Sequence, residues 1–275
     1  MSSSPLVAVS CATPTFCVAL DGAGNAYRFN GSQWSTPAAL GAQSGLGGEV
    51  AAVSCTSGSF CMAIAPGSDA VVSWNGSSWS APSAVSSNDL QGVSCVGTTF
   101  CVTVDGVGDS FVYHGAGWSR GSGDWGGISG ISCVDATFCI SVSGGISAFD
   151  GSTWTQPDQQ GATANFTGVS CPATSFCMAV DAVGQALTFT GSWSAPTEIE
   201  PSAALGGSSP TPSAVSCWEA GACVVTDSAG QAISIVNGSP KRLMIDPQHA
   251  IDAVSCASTL CMAVDAEGDA IEGRR

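Results

Sequence analysis

Residues 9–34 read VSCATPTFCVALDGAGNAYRFNGSQW. Two cysteines, an Asp-headed turn, an Asn-Gly turn and a tryptophan follow one another in this stretch, and the same order of features returns along the chain. The first cysteine of each copy is Cys11, Cys55, Cys95, Cys133, Cys171, Cys217 or Cys256, which sets a period of about 40 residues. That period, filled with short apolar runs and tight turns, belongs to the blade of a β-propeller rather than to a helical solenoid. The expected architecture is all-β: a single seven-bladed propeller domain over 1–275, with repeats at approximately 6–45, 46–86, 87–124, 125–163, 164–206, 207–248 and 249–275.

Each copy divides into four strands. Strand A is the apolar run ending in VSC, and strand B is expected to begin at the second cysteine, as in FCVAL at 16–20 and FCMAV at 176–180. An Asp-x-x-Gly turn headed by Asp21, Asp105, Asp181, Asp227 or Asp265 closes the B–C hairpin. Strand C ends on a large apolar residue before a turn such as Asn30-Gly31, Asn75-Gly76 or Asp150-Gly151, dipeptides that accept the positive φ of a tight hairpin. Strand D carries the tryptophan of QWSTP, SWSAP, GWSRG and STWTQP. A lone four-stranded sheet cannot cover both its faces, but sheets arranged in a ring cover one another, and the aromatics of strands C and D are the residues to fill the wedges between them. The last copy stops within strand C. A three-stranded last blade is therefore expected, with an exposed edge that invites pairing with another chain, an edge-mediated dimer included.

The cysteines fall into pairs with none left over: Cys11/Cys17, Cys55/Cys61, Cys95/Cys101, Cys133/Cys139, Cys171/Cys177, Cys217/Cys223 and Cys256/Cys261. Zinc knuckles need four converging ligands at short CxxC-like spacings, whereas these pairs recur at a regular distance, so one disulfide per blade is expected. Disulfides on this scale place folding in an oxidising compartment, and a secreted or cell-surface protein is expected. The opening MSSSPLVAVSC has neither the basic segment nor the apolar run of a secretion leader; a leader already removed, or a module of a larger exported protein, is the expectation. The closing IEGRR resembles a protease-recognition remnant. No run approaches the length of a spanning helix, so membrane insertion is not expected. The net charge is −15, and the basic residues Arg28, Arg120, Lys241, Arg242, Arg274 and Arg275 are few and scattered. Nucleic acid is excluded as a partner, because binding it requires lysines and arginines to displace its counterions.

The VSC…FC…Asp-x-x-Gly…Trp units resemble a family of secreted bacterial seven-bladed β-propellers, distantly similar to kelch and Asp-box propellers, over essentially the whole chain. The resemblance implies an extracellular module for recognition or display. Residues 147–154, SAFDGSTW, look like an Asp-box turn but lack the residue between its Asp and its Gly.

Candidate site residues are those that break the repeat. The connector SRGSGDWGG bears Arg120, Asp124 and Trp125, and GSPKRLMIDPQHAID bears Lys241, Arg242, Asp246 and His249. Propeller geometry places D–A connectors and B–C turns at one end of the ring, where ligands gather around the channel mouth. The main expectation is a non-catalytic recognition module for a carbohydrate or a protein partner, with Trp125, Arg120, Lys241 and Arg242 as ligand-binding candidates. The alternative is a polysaccharide lyase or glycosidase using His249, Asp246, Asp124 and Arg120. A purely structural or display propeller is the third reading. No cofactor is expected. Calcium on the turn aspartates, with Asp109 and Asp269 nearby, stands against the simpler reading that each Asp caps its own turn.

Overall fold

A computed structural model of the chain describes residues 1–40, 52–64, 69–121, 123, 127–162, 165–200 and 210–274. They form seven antiparallel sheets and no helix. In the first blade the strands are Leu6–Thr13, Phe16–Asp21, Asn25–Phe29 and Ala38–Ala39, in spatial order A, B, C, D. The A strands stand side by side around the centre, and Leu6–Thr13 packs beside Ile251–Ala257 to close the circle. There is no single core. Buried side chains gather instead in the wedges between blades, as where Val18 and Leu20 of the first blade meet Ala63 and Trp74 of the second. Strand B is covered on both faces by this arrangement, which is why it reads as an unbroken apolar run.

The VSC triplet has a division of labour along strand A. Its cysteine bonds to the second cysteine across the A–B hairpin, and all seven expected disulfides are present, one per blade. They are Cys11–Cys17, Cys55–Cys61, Cys95–Cys101, Cys133–Cys139, Cys171–Cys177, Cys217–Cys223 and Cys256–Cys261. Strand B starts one residue earlier than expected, before the second cysteine rather than on it. Phe100, Phe138 and Phe176 open the strands that hold Cys101, Cys139 and Cys177, because each phenylalanine already pairs across the ladder, with Val96, Asp135 and Ala173. Cys101, Cys139 and Cys177 are fully buried inside the blades, so these bridges are scaffold and belong to no surface site.

The serine of the triplet serves the next blade. Ser10 Oγ accepts the Cys55 amide at 2.9 Å, Ser54 that of Cys95 at 3.0 Å, and Ser94 that of Cys133 at 2.9 Å. Ser132, Ser170 and Ser216 repeat the contact with Cys171, Cys217 and Cys256. Ser255 then accepts the Cys11 amide at 2.9 Å, so the circle of hydrogen bonds closes on itself.

The row continues outward. The residue of strand C opposite the second cysteine is Phe29, Trp74, Tyr113, Phe149 or Phe189, facing Cys17, Cys61, Cys101, Cys139 and Cys177 in turn. The tryptophan of strand D leans on it, with ring centroids 5.1–5.7 Å apart for Trp34, Trp79, Trp118, Trp154 and Trp193. These tryptophans pack into the inter-blade wedges, as their repeat position implies.

Strand D departs from the expected regular strand in four blades. After Trp34, Trp79 and Trp193 the ladder breaks at Pro37, Pro82 and Pro196, then resumes as the two-residue strands Ala38–Ala39, Ser83–Ala84 and Thr197–Glu198. In the fourth blade only isolated bridges, Phe149 to Trp154 and Ile146 to Asp158, flank Pro157, and that sheet has three strands. Proline has no N–H to give to the ladder. The GWSR segment, without proline, forms the continuous strand Trp118–Arg120.

The last blade has three strands, Ile251–Ala257, Leu260–Asp265 and Ala270–Arg274, and its outer strand pairs with no further strand among the described residues. The aromatic row fails in the last two blades. Ile235 stands opposite Cys223 with Pro240 beyond it, and Gly273 stands opposite Cys261. The wedge between these blades is correspondingly thin: Ile251, Val254 and Ala263 are its buried members. An apolar groove of about 390 Å³ opens there, lined in part by Leu243, Ile245, Ile271 and Gly273.

Candidate functional site

The end of the ring that carries the B–C turns is built around five buried aspartates. In each case Oδ1 accepts the amides two and four residues on. Asp21 takes those of Ala23 and Asn25 at 3.0 and 2.8 Å, and Asp265 those of Glu267 and Asp269 at 3.0 and 2.9 Å. Asp105, Asp181 and Asp227 do the same. These residues cap their own turns. All five are at most 1% exposed, so the second oxygen of each also needs a partner.

In the third blade that partner comes from the connector that arrives from the preceding blade and in the first from the N-terminal segment, whereas Asp181 Oδ2 has no hydrogen-bond partner among the described residues. The connector hangs by its backbone on the turn of the blade it leaves. The amides of Ile199 and Glu200 donate to the Gly184 carbonyl at 2.9 and 3.1 Å, and those of Ile245 and Asp246 to the Gly230 carbonyl at 3.0 Å each. The approach is so close that a Cβ on Gly230 would lie 1.6 Å from the Asp246 carbonyl oxygen, and the turn also needs its φ of 79°; only glycine meets both demands. The side chain at the end of this tether then reaches the aspartate of the next blade. In the first blade Ser2 Oγ donates to Asp21 Oδ2 at 3.0 Å, joined by Asn25 and the Tyr27 hydroxyl. Burial alone would raise the Asp21 carboxyl, but the hydrogen bonds from Asn25, Tyr27 and Ser2 outweigh it and hold it below its usual value. In the third blade Ser86 Oγ donates to Asp105 Oδ2 at 2.8 Å.

The last two blades put acids in this seat. Glu200, 1% exposed, meets Asp227. Neither Glu200 Oε1 nor Asp227 Oδ2 has another donor, and two facing carboxyl groups satisfy each other by sharing a proton. Burial, then the hydrogen bond and charge of Asp227, push the Glu200 carboxyl up to about 7, against the opposing pull of Arg242. Arg242 Nε lies 3.9 Å from Glu200 Oε2, and its guanidinium also donates to the Ile199 carbonyl.

In the seventh blade the seat is Asp246. It lies nineteen residues before Asp265, the offset that separates Ser2 from Asp21 and Ser86 from Asp105. Asp246 Oδ1 accepts the amides of Gln248 and His249 at 2.8 and 3.2 Å, and Oδ2 lies 3.1 Å from His249 Nδ1. One polar atom each of Asp246, His249 and Asp265 lies within 4.8 Å of the other two. Glu267 Oε1 is 4.0 Å from His249 Nε2. The Gln248 amide and the histidine hold the Asp246 carboxyl below its usual value, and Asp246 in turn raises His249.

His249 and Asp246 are thus brought together as neighbours. Lys241 and Arg242 do not lie in a connector loop as their sequence setting suggested; they belong to Ser239–Met244, the fully hydrogen-bonded outer strand of the sixth blade. Without a tryptophan to dock, that strand runs on over six residues with an exposed face. Arg120 ends the outer strand of the third blade and pairs with Asp109 at 2.5 Å, on a blade that does not adjoin His249. Asp124 and Trp125 lie outside the described residues. The pairing of Glu200 with Asp227 and of Asp246 with Asp265 was not foreseen; Asp227 and Asp265 carry the Asp-x-x-Gly mark of a turn, and the residues that meet them only that of an acid directly after an apolar residue, Ile199-Glu200 and Ile245-Asp246.

The ring, its disulfides and its acid-lined end define a disulfide-stapled seven-bladed β-propeller. No family model and no curated protein matches the sequence. Among solved structures, the chain is similar to YCF48 bound to D1 peptide, with a TM-score of 0.75 and 10% identity over 100% of this chain and 94% of that one. It is likewise similar to the WD40 β-propeller domain of Doa1, with a TM-score of 0.81 and 10% identity over 99% and 93% of the two chains. The WD40 repeats of RRP9 give a TM-score of 0.83 at 9% identity over 100% and 96%. At these identities the likeness is one of fold.

Proposed function

We propose that this propeller is an extracellular recognition module whose acid-rich end binds a protein segment bearing lysine or arginine. The observation that carries the reading is the uneven distribution of charge. The B–C turn and connector end presents exposed Asp69, Asp89, Asp158, Glu198, Glu267 and Asp269 around the ring, above the buried aspartates. The opposite end, made of A–B and C–D turns, carries Asp135, Asp150 and Glu219. Of the nearby cations at the acidic end, Arg120 and Arg242 already face Asp109 and Glu200, and the Met1 ammonium lies 3.2 Å from Asp269. A low-dielectric ring with one sign of charge at its mouth draws in partners of the other sign and speeds their encounter. Seven disulfides suit an oxidising, extracellular setting. That a YCF48 propeller is described as bound to a peptide supports a polypeptide ligand for this architecture.

The test is fluorescence anisotropy with a labelled oligolysine peptide at low and high salt. Binding is expected to weaken as salt rises through about 0.15 M. Reversing Asp69, Asp89, Glu198 and Glu267 to lysine is expected to weaken it at least about tenfold, and reversing Asp135, Asp150 and Glu219 to leave it within about twofold. Equal losses from the two sets would show non-specific attraction to a net-negative protein and end the proposal.

A further inference from the structure

We propose that Asp246, His249 and Asp265 form a binding site for a divalent transition-metal cation of the Zn²⁺ class, at the junction of the sixth and seventh blades. The starting point is an oxygen that lacks a partner. Asp265 is fully buried, its Oδ1 is committed to the amides of Glu267 and Asp269, and its Oδ2 has no hydrogen-bond donor. The equivalent oxygen receives a serine hydroxyl in the first and third blades. The residue in that seat here is Asp246, a carboxylate, which brings an acceptor where a donor is needed. Its orientation is not accidental: backbone bonds from Ile245 and Asp246 to Gly230, and from Gln248 and His249 to its own Oδ1, fix the side chain from both ends. Glu200 and Asp227 meet the same need by sharing a proton; here His249 stands beside the pair as a third donor atom, and a cation held by all three satisfies both carboxylates.

The third ligand identifies the class of cation. His249 Nδ1 stands 3.1 Å from Asp246 Oδ2, the spacing of two ligands about 2.1 Å from one metal and roughly 95° apart. Imidazole with two carboxylates suits zinc or manganese, whereas calcium and magnesium prefer all-oxygen surroundings. Glu267 stands 4.0 Å from the other ring nitrogen, beyond hydrogen-bond reach, and adds a negative charge beside the imidazole. Among the described residues no cysteine is free, so thiolates do not compete. None of the three ligands is among the acids proposed to meet a polypeptide; Glu267 alone belongs to both surroundings.

The test uses the intact protein, stripped with a chelator and desalted, with ZnCl₂, MnCl₂ and CaCl₂ as probes in calorimetry and thermal unfolding. One equivalent of Zn²⁺ is expected to bind at micromolar or lower concentration and raise the unfolding temperature, as any ligand of the folded state does. Ca²⁺ is expected to bind at least about a hundredfold more weakly. Asp246→Ser restores the serine arrangement of the first and third blades, so it is expected to fold normally and lose the metal. His249→Ala is expected to weaken Zn²⁺ at least about tenfold. Absence of Zn²⁺ binding at about 1 mM would overturn the proposal, and so would wild-type affinity in Asp246→Ser. In either case His249 serves only as the charge partner of Asp246.

Discussion

The carboxylate that ends strand B is buried in five blades, and each blade has to satisfy its second oxygen. Serine does this by donating a hydroxyl, and Glu200 by donating a proton. The second solution depends on pH. The folded-state value of Glu200, about 7, lies above the unfolded value of 4.5. The folded state therefore binds the proton more tightly, and the resulting stabilisation is complete below the unfolded value and lost as pH rises through the folded one. The unfolding temperature is expected to fall as pH is raised from about 5 to about 8, with part of that slope due to Glu200. Glu200→Gln keeps a hydrogen-bond donor facing Asp227 without titrating, and should flatten the profile relative to wild type. An unchanged slope would mean that the two carboxyls do not share a proton.

At the level of strands, what was legible depended on whether a feature repeats. The hairpins, the disulfide pairs, the turn aspartates and the tryptophans recur with the blade, and the period exposed them. Strand D was legible only in part. Its tryptophan marks the position, but the proline three residues on removes an N–H from the ladder, and only pairing in three dimensions shows where it resumes. The serine of VSC repeats as faithfully as the cysteine beside it, yet its partner lies in another blade, about 40 residues away, and nothing local announces the bond. The acid seats were illegible for the opposite reason. Glu200 and Asp246 replace a serine at a position recognisable only once the connector is seen hanging on the preceding turn. The row of aromatics outward from each disulfide has its clearest gap at Gly273, where an added Cβ would meet only Cys261 atoms at 3.8 and 4.0 Å. Gly273→Phe is expected to extend the row over the open groove and to stabilise the protein by about 1–2 kcal/mol, from buried apolar area and a stiffer strand. Denaturant unfolding measures it. A loss of stability would show that the groove cannot accept an aromatic ring.

For the whole molecule the decisive question is how a ring built from one chain stays shut. Six of the seven wedges are crossed by a connector, so the blades on either side remain tethered even if their packing loosens. The wedge between the seventh blade and the first has no such tether. It is held by Leu260, Met262 and Val264 against Leu6, Tyr27 and Phe29, by the Ser2 amide on the Gly268 carbonyl at 2.9 Å, and by Ser255 on the Cys11 amide. Local opening should therefore start there, because separating these blades breaks only non-covalent contacts. Ser255→Ala leaves the Cys11 amide without its acceptor, at a cost of about 1–2 kcal/mol. Ser94→Ala does the same to the Cys133 amide, across a tethered wedge. The two variants should lose similar equilibrium stability but differ in hydrogen exchange. Ser255→Ala is expected to speed exchange along both Leu6–Thr13 and Ile251–Ala257, the two inner strands that border the seam. Ser94→Ala should confine its effect to the neighbourhood of Cys133. Equal, local exchange in both variants would mean that every wedge is held alike and that the ring has no preferred seam.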